Sequence, residues 1–381
     1  MATAHQVSEE VVREALSRVD DPEIGKPITE LGMVESVTVS GGDVKVGIYL
    51  TIAGCPMRET IQSDVRAVVE ELEGVERVEV EMHTMSDEQR RALSEKLRSE
   101  QTGPVIPFAD PDTRTRIFAV ASGKGGVGKS SMTVNLATAL AAQGLSVGIV
   151  DADIYGHSIP GLMGSVDKAP TVVDDMIMPP ITHDVRHISI GQFVEGNAPV
   201  VWRGPMLTRA IQQFLADVYW GDLDVLFMDL PPGTGDVAIT VAQLVPNAEL
   251  IIVTTPQAAA AEVAERAGTI AQQTDQKIAG VIENMSGLLL DDGSVLNVFG
   301  EGGGQQVAER LSQLTGNPDE EVPLLGSVPL DPKLREHGDT GSPIVISEPD
   351  SPAAQAINKI AGQLKVRRDS LAGKSLNPQV R

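Results

Sequence analysis

A single cysteine, Cys55, stands in 381 residues. That excludes an internal disulfide framework and suits a reducing compartment. Aromatic residues make up only 3%, so the cores must be built from Ala, Val, Leu and Ile. Positive charge is short too: the formal net charge is −23. A broad nucleic-acid-binding face needs Lys and Arg to neutralise phosphates, so no nucleic-acid partner is expected. A small, local anion site is unaffected by that argument. No apolar run approaches the ~20 residues that span a bilayer. The opening Met-Ala-Thr-Ala-His-Gln has no basic n-region and no apolar h-region, and no signal peptide is expected. The expectation is a cytoplasmic protein.

Hydrophobic residues at 41% suffice for ordinary cores, and the length predicts two domains. Residues 1–98 read as a small α/β unit. Val11, Val12, Ala15, Leu16 and Val19 recur at helical spacing. Val34 to Val39 and Val44 to Leu50 read as strands joined at Gly41-Gly42-Asp43, a hairpin signal. A second helix is predicted from about Pro56 to Leu72, with proline in its first turn. A strand at Val75 to Val80 and a polar helix at Ser86 to Leu97 close the unit.

Residues 99–115 hold three prolines and little periodicity, and read as a linker. From residue 116 to 368 short apolar strands alternate with helices: Ile117 to Ala121, Ser146 to Val150, Val225 to Met228, Leu250 to Val253 and Ile278 to Ile282. That alternation implies a parallel sheet covered on both faces. Residues 369–381 read as a loose tail.

Gly123-Lys124-Gly125-Gly126-Val127-Gly128-Lys129-Ser130 matches the phosphate-loop pattern Gly-x-x-x-x-Gly-Lys-Ser. It lies between a predicted strand and a helix expected at Ser131 to Ala142, where the mechanism needs it. Glycines let backbone N–H groups converge on phosphate oxygens. Lys129 supplies charge to the outer phosphates, and the Ser130 hydroxyl can ligate Mg²⁺. The fold class is therefore α/β: a parallel-sheet P-loop NTPase domain preceded by a small α/β domain, with ATP and Mg²⁺ as its expected ligands. The bland alternative is a glycine-rich turn without ligand.

Lys-Gly-Gly-Val-Gly-Lys-Ser as a unit resembles the deviant loop of the MinD, ParA and nitrogenase iron-protein superfamily. That resemblance implies that Lys124 reaches across a homodimer to the partner's phosphates, an arginine-finger-like role. Three further segments resemble parts of the same superfamily. In Val150-Asp151-Ala152-Asp153, similar to its first switch, Asp153 is implied to position the attacking water. Leu226-Phe227-Met228-Asp229 is an apolar strand ending in a carboxylate that would hold Mg²⁺ through water. Pro231-Pro232-Gly233-Thr234-Gly235-Asp236 is similar to the second switch, where Gly233 would sense the γ-phosphate. Asn284, in Glu283-Asn284-Met285-Ser286, falls where the superfamily reads adenine; the alternative is a turn-forming Asn. Ser327-Val328-Pro329-Leu330-Asp331 matches the strand whose following loop lies near the base.

Asp153-Ile154-Tyr155-Gly156-His157-Ser158, Trp202-Arg203-Gly204-Pro205-Met206, Asp229 to Asp236, Glu283 to Ser286 and Phe299-Gly300-Glu301-Gly302-Gly303-Gly304 together resemble the Mrp/ApbC family of iron–sulfur cluster carrier ATPases. Residues 8–98 are similar to the small iron–sulfur assembly domain often fused in front of it, through Asp21-Pro22-Glu23 and Gly54-Cys55-Pro56. The resemblance implies a homodimer that passes clusters to apoproteins and meets assembly proteins. One departure stands out. The family usually carries Cys-Pro-x-Cys between its Glu-Asn-Met-Ser and Phe-Gly-Glu-Gly-Gly-Gly motifs, but Gly287 to Val298 contain no cysteine. Four thiolates normally hold a cluster. Cys55 is the remaining thiol; at a predicted helix start, backbone N–H groups and the helix dipole would favour its thiolate and make it a possible cluster ligand. The alternative is an inert, partly buried side chain.

His183 and His187 stand four apart. Their apolar neighbours Ile181, Val185, Ile188 and Ile190 suit a strand, which separates the rings by about 13 Å and argues against a metal pair. Lys359, Lys365, Arg367, Arg368, Lys374 and Arg381 make the C-terminus basic, but Ile360, Leu364 and Val366 are too few for firm membrane insertion, and no stable membrane association is expected. Two other readings compete with the carrier. A nucleotide-gated adaptor without a cluster would explain the missing cysteine pair, and a ParA- or MinD-like spatial regulator would use ATP to toggle surface binding.

Overall fold

The structure, a computed structural model, describes residues 7–51, 55, 57–100, 106–110, 112–173, 176–193, 204–233, 236–257, 260–274, 276–290, 292–315 and 321–364. Gly54, Pro56, Trp202, Arg203, Thr234, Gly235 and the basic tail from Lys365 onward lie outside the described residues.

The chain divides into two compact units. One is Met1–Val105 with Pro170–Pro180 and Asp217–Gly221; the other is Ile106–Ala169, Ile181–Ala216 and Asp222–Arg381. In the first, Ser8 caps α1 (Glu9–Leu16) by accepting from the Val11 N–H, and Val12, Ala15 and Leu16 turn inward. Strands β1 (Val34–Ser40) and β2 (Asp43–Leu50) form the expected antiparallel hairpin. Its turn uses Gly41 at φ 64°, a conformation costly for any residue with a Cβ. Helix α2 (Arg58–Glu70) buries Ile61, Val65 and Val69, four apart on one face. Strand β3 (Arg77–Thr84) then pairs parallel to β2, and α3 (Asp87–Glu100) follows.

The second unit starts with β4 (Arg116–Ala121), α4 (Lys129–Ala141), β5 (Val147–Asp151) and the short α5 (Ile159–Leu162). The chain next lends a hairpin, β6 (Thr171–Val173) and β7 (Met176–Met178), to the first unit. Val173, Met176, Met178 and Tyr219 are buried in that unit's core, which explains why segments that the sequence groups with the ATPase part fold there. Strands β8 (Ile181–Thr182), β9 (Val185–Ser189), helix α6 (Gly204–Ala216), β10 (Val225–Asp229) and α7 (Asp236–Leu244) come next. Then follow β11 (Glu249–Thr254), α8 (Ala260–Thr274), β12 (Ile278–Asn284), and the small hairpin β13 (Leu288–Leu289) and β14 (Val295–Leu296). Helix α9 (Gly303–Thr315), β15 (Leu324–Val328), α10 (Pro332–Asp339), α11 (Ile344–Ser347) and α12 (Pro352–Gln363) complete the described chain.

Eight strands form one sheet in the order β15-β12-β11-β4-β10-β5-β9-β8. Every pairing is parallel except β8 with β9. The central strands are apolar between their ends because helices cover both faces. Phe118 of β4 and Phe227 of β10 stack at 5.6 Å and are fully buried; each such ring contributes roughly 1.5–3 kcal/mol through burial. Arg116 grips Glu249 through two hydrogen bonds of 2.9 and 2.8 Å, clipping β4 to β11. The chain leaves β4 and returns at β5, on the far side of β10, so loops after these three strands meet at one carboxyl edge.

His183 and His187 do not share one strand. His183 and Asp184 take φ values of 52° and 60° and form the turn between β8 and β9. His187 is buried 2.9 Å from the Ser165 hydroxyl, and burial pushes its pKa down to about 4. It is a neutral core residue. Ile360 and Leu364 of the C-terminal segment are likewise buried in the core of this unit.

Candidate nucleotide site

The loop Gly123–Ser130 runs from the end of β4 into α4. Gly126 and Gly128 sit at φ 78° and 81°. A Cβ on Gly128 would also lie 2.2 Å from Asn284 Nδ2, so glycine is required there twice over. Gly128 occupies the N-cap of α4 and no side chain caps that end. The first helical N–H groups are thus available to an anion, the usual way such a loop holds phosphate.

Beneath the loop, three side chains converge on one carboxylate. Asp229, fully buried at the end of β10, accepts through Oδ2 from Ser130 Oγ at 2.5 Å and pairs with Lys129 Nζ at 2.7 Å. Its Oδ1 accepts from Thr133 Oγ1 at 2.8 Å. Asp151 lies beside it at the end of β5. Burial raises the Asp151 pKa well above the usual carboxylate range and the neighbouring Asp229 adds to this, against the Ser189 hydroxyl, which donates at 2.9 Å. Asp153 follows, its N–H donating to Asp151 Oδ1 at 3.2 Å while its own Oδ1 accepts from Gly156 N at 3.1 Å. Burial raises its pKa too, opposed by Lys129. Gly233 is at φ 92° and gives its N–H to Ser122 O at 2.9 Å.

At the rim, Lys124 Nζ donates to Gln257 Oε1. Arg266 donates to the Gly123 carbonyl at 3.0 Å. Asn284 Nδ2 donates to Val127 O at 2.9 Å, and its Oδ1 is buried with no hydrogen-bond partner among the described residues. A cavity of about 200 Å³ opens beside it, lined by Gly128, Ser131, Asn284, Met285, Pro329 and Arg335 among others. That is below the ~300–1,000 Å³ of a pocket enclosing a whole drug-sized ligand, and so suits one end of a nucleotide whose phosphates lie on the loop.

The family model described as NUBPL iron-transfer P-loop NTPase matches residues 113–365. The chain belongs to that family. A second model, described as iron-sulfur cluster assembly protein, matches residues 9–82 of this NTPase. A protein of Mycobacterium leprae (strain TN) named "Iron-sulfur cluster carrier protein" is 61% identical over 366 residues, 96% of this chain and 94% of its own. One of the same name from Synechocystis sp. is 40% identical over 361 residues, 93% and 96% of the two chains. Among solved structures, a nucleotide-binding protein from Archaeoglobus fulgidus in complex with ADP matches with a TM-score of 0.53 at 33% identity, over 70% of this chain and 95% of that one.

The NTPase unit thus brings together Lys124, Lys129, Ser130, Asp153, Asp229, Gly233 and Asn284, all read from the sequence. Sequence reasoning missed Thr133, Ser189, Gln257 and Arg266. Thr133 had a signal, since it stands four residues after Lys129 on the same helical face. Gln257 had none.

Cys55 belongs to the other unit and departs from expectation. It is buried, and α2 begins only at Arg58, with Met57 as N-cap. Burial pushes its thiol up to about 11; the Met57 N–H opposes this, while the Glu23 and Asp21 carboxylates reinforce it. The thiolate is disfavoured because desolvation and two like charges outweigh one N–H. Glu23 itself is raised to about 7 by burial and Asp21, and accepts from the Thr171 hydroxyl at 3.4 Å. Asp21 Oδ1 accepts from Glu23 N and Ile24 N, both at 2.9 Å. Among the described residues, no group of three His, Cys, Asp or Glu side chains is disposed to hold a metal ion. Nor is any helix long and apolar enough to cross a membrane.

Proposed function

We propose that the chain is a Mg²⁺-dependent ATPase that carries iron–sulfur clusters to apoproteins and acts as an ATP-bridged homodimer in the cytoplasm. The observation that carries the ATPase half is the convergence of Lys129, Ser130 and Thr133 on Asp229. Mg²⁺ takes hard oxygen ligands, few of them from protein, with substrate phosphates completing its shell. Ser130 Oγ and Asp229 are such ligands and stand together at the loop, so the donor set fits the ion. When bound, Mg²⁺ would offset charge on the phosphate oxygens. Lys129 would trade Asp229 for the outer phosphates, and the loop N–H groups would hold the rest. Asp153 would accept from the attacking water, and Gly233 would report the γ-phosphate. Lys124 would reach the partner's phosphates, making hydrolysis depend on pairing.

The carrier half is supported by two relatives named as cluster carriers and by the assembly-protein match over residues 9–82. The cluster is cargo here. One thiol per chain gives two in a dimer, so the remaining ligands must come from donor or client proteins. Binding at Cys55 would have to release the thiol proton, which makes loading pH-dependent. We assign client and assembly-protein contacts to the domain of residues 1–98 and nucleotide turnover to residues 116–368, with residues 99–115 as linker.

ATP hydrolysis by wild type and Lys129→Ala tests the first half; an unchanged rate in the variant sinks it. Anaerobic loading with iron and sulfide, quantified per dimer for wild type and Cys55→Ser, tests the second. A second reading has one observation in its favour. Where the family usually carries its cysteine pair, this chain has a hairpin whose Leu289, Val295 and Leu296 are half exposed or more. A nucleotide-gated adaptor would use such a surface for a client, and it becomes the better reading if no cluster loads while ATPase activity persists.

A further inference from the structure

Lys124 is held at its backbone on two sides. Its own carbonyl accepts from Ser122 Oγ at 3.0 Å, and the preceding Gly123 carbonyl accepts from Arg266 Nη1 at 3.0 Å. With the backbone fixed, the position of the ammonium is decided by its side chain alone. That side chain points to Gln257 of the same chain and donates to its Oε1.

Gln257 stands on a stiff platform. It follows Thr255 and Pro256 at the end of β11, where Gly303, the first residue of α9, comes very close. A Cβ on Gly303 would lie 2.7 Å from the Pro256 carbonyl and 2.8 Å from the Thr255 oxygen. The next residue, Gly304, donates its N–H to Glu283 Oε2 at 2.6 Å, and Ser327 Oγ holds Oε1 at 3.1 Å. Glu283 adjoins Asn284, which grips the loop at Val127. The backbone that carries the acceptor offered to Lys124 is therefore tied to the phosphate loop itself.

We infer that Gln257 is a positioning residue for Lys124: it holds the ammonium on its own chain, and the bond must break before Lys124 can serve any phosphate. This rests on the reading that Lys124 acts in hydrolysis. A neutral amide makes a hold of moderate strength, released when a more highly charged acceptor arrives. A carboxylate at the same place would make a charge-assisted pair roughly twice as strong. Nothing in the loop signature requires residue 257 to be Gln, so its effect is separable from phosphate binding.

Steady-state ATPase assays on the full chain test this with Gln257→Glu, Gln257→Ala, Lys124→Ala and the double variant Lys124→Ala with Gln257→Glu. Gln257→Glu is expected to lower kcat about tenfold with KM within about twofold, and Gln257→Ala to raise kcat about threefold. A merely structural role would not give opposite responses to the two substitutions. The double variant is expected to match Lys124→Ala alone. If Lys124→Ala is slow but both Gln257 variants stay near wild type, this inference is overturned and the role of Lys124 survives. A Gln257→Glu effect that persists without Lys124 overturns it too. Wild-type turnover by Lys124→Ala overturns both.

Discussion

Thr133 and Asp229 meet across the first turn of α4: the threonine hydroxyl donates to Asp229 Oδ1 at 2.8 Å while Ser130 and Lys129 engage Oδ2. Each oxygen of the buried carboxylate has its own donors, so the group cannot rotate. An outer-shell bond of this kind orients a metal ligand without touching the metal. Thr133→Val keeps the shape and removes the donor. It is expected to weaken Mg²⁺ dependence about tenfold, read as the Mg²⁺ concentration giving half-maximal ATPase activity, with Thr133→Ser restoring it. An unshifted Mg²⁺ titration would mean that Ser130 and Lys129 alone fix the carboxylate.

Asp153 carries a pH prediction. Burial raises its pKa above the ordinary 3.8, and the ionised form is the one able to accept from water. Turnover is therefore full above the raised pKa and falls as pH drops through it, at a higher pH than an exposed aspartate would give. Asp153→Asn is expected to lower kcat about a hundredfold, leave ATP affinity within about twofold and lose that acid limb. A kcat profile retaining the limb would assign it to another group, Asp151 being the first to examine.

Much of this site was legible because the chemistry is local. Gly123 to Ser130 is one continuous stretch, and strand-end acids such as Asp229 announce themselves by an apolar run stopping at a charge. Asn284 was placed by resemblance, and its contact with Val127 needed the fold. Gln257 and Ser189 were illegible because each matters only through a partner more than thirty residues away, Lys124 and Asp151 respectively. The fold showed the same division. Periodicity predicted β1, β2 and the parallel strands β4, β5, β10, β11 and β12 to within a residue or two. It could not show β6 and β7 leaving one unit for another, since that depends on where Val173, Met176 and Met178 find a core. At Cys55 only the expected ease of forming a thiolate is contradicted, and for an energetic reason: the burial that the sequence left open as the alternative outweighs the N–H groups of a helix start.

Cys55 chemistry follows from that burial. With a thiol pushed up to about 11, against about 8.5 for a free cysteine, the thiolate fraction at pH 8 is lower by roughly a hundredfold. Alkylation by iodoacetamide is expected to be correspondingly slow and to keep climbing beyond pH 9. Glu23→Gln removes one of the two carboxylates that raise the thiol, so its labelling should accelerate at fixed pH. Equal rates at pH 8 for wild type, the variant and a small-molecule thiol would show Cys55 to be solvated and unpaired with these acids.

The strongest prediction about the ligand comes from Asn284. Its Nδ2 is committed to Val127 O, its Oδ1 is a buried acceptor with no partner among the described residues, and the residue lines the cavity. Leaving such a group unsatisfied costs about 1–3 kcal/mol. A base presenting an amino group at purine position 6, as adenine does, would satisfy it. Guanine presents an oxygen there and would set acceptor against acceptor. ATP should therefore outcompete GTP, and Asn284→Ala should lower that preference about tenfold. The substitution also removes the tie to Val127, so Asn284→Asp separates the two effects: it keeps an acceptor toward the base and loses the donor toward the loop. Retained ATP preference in Asn284→Asp, lost in Asn284→Ala, assigns base selection to the acceptor, whereas equal loss in both would assign it to the loop tie and leave Oδ1 without a role in choosing the base.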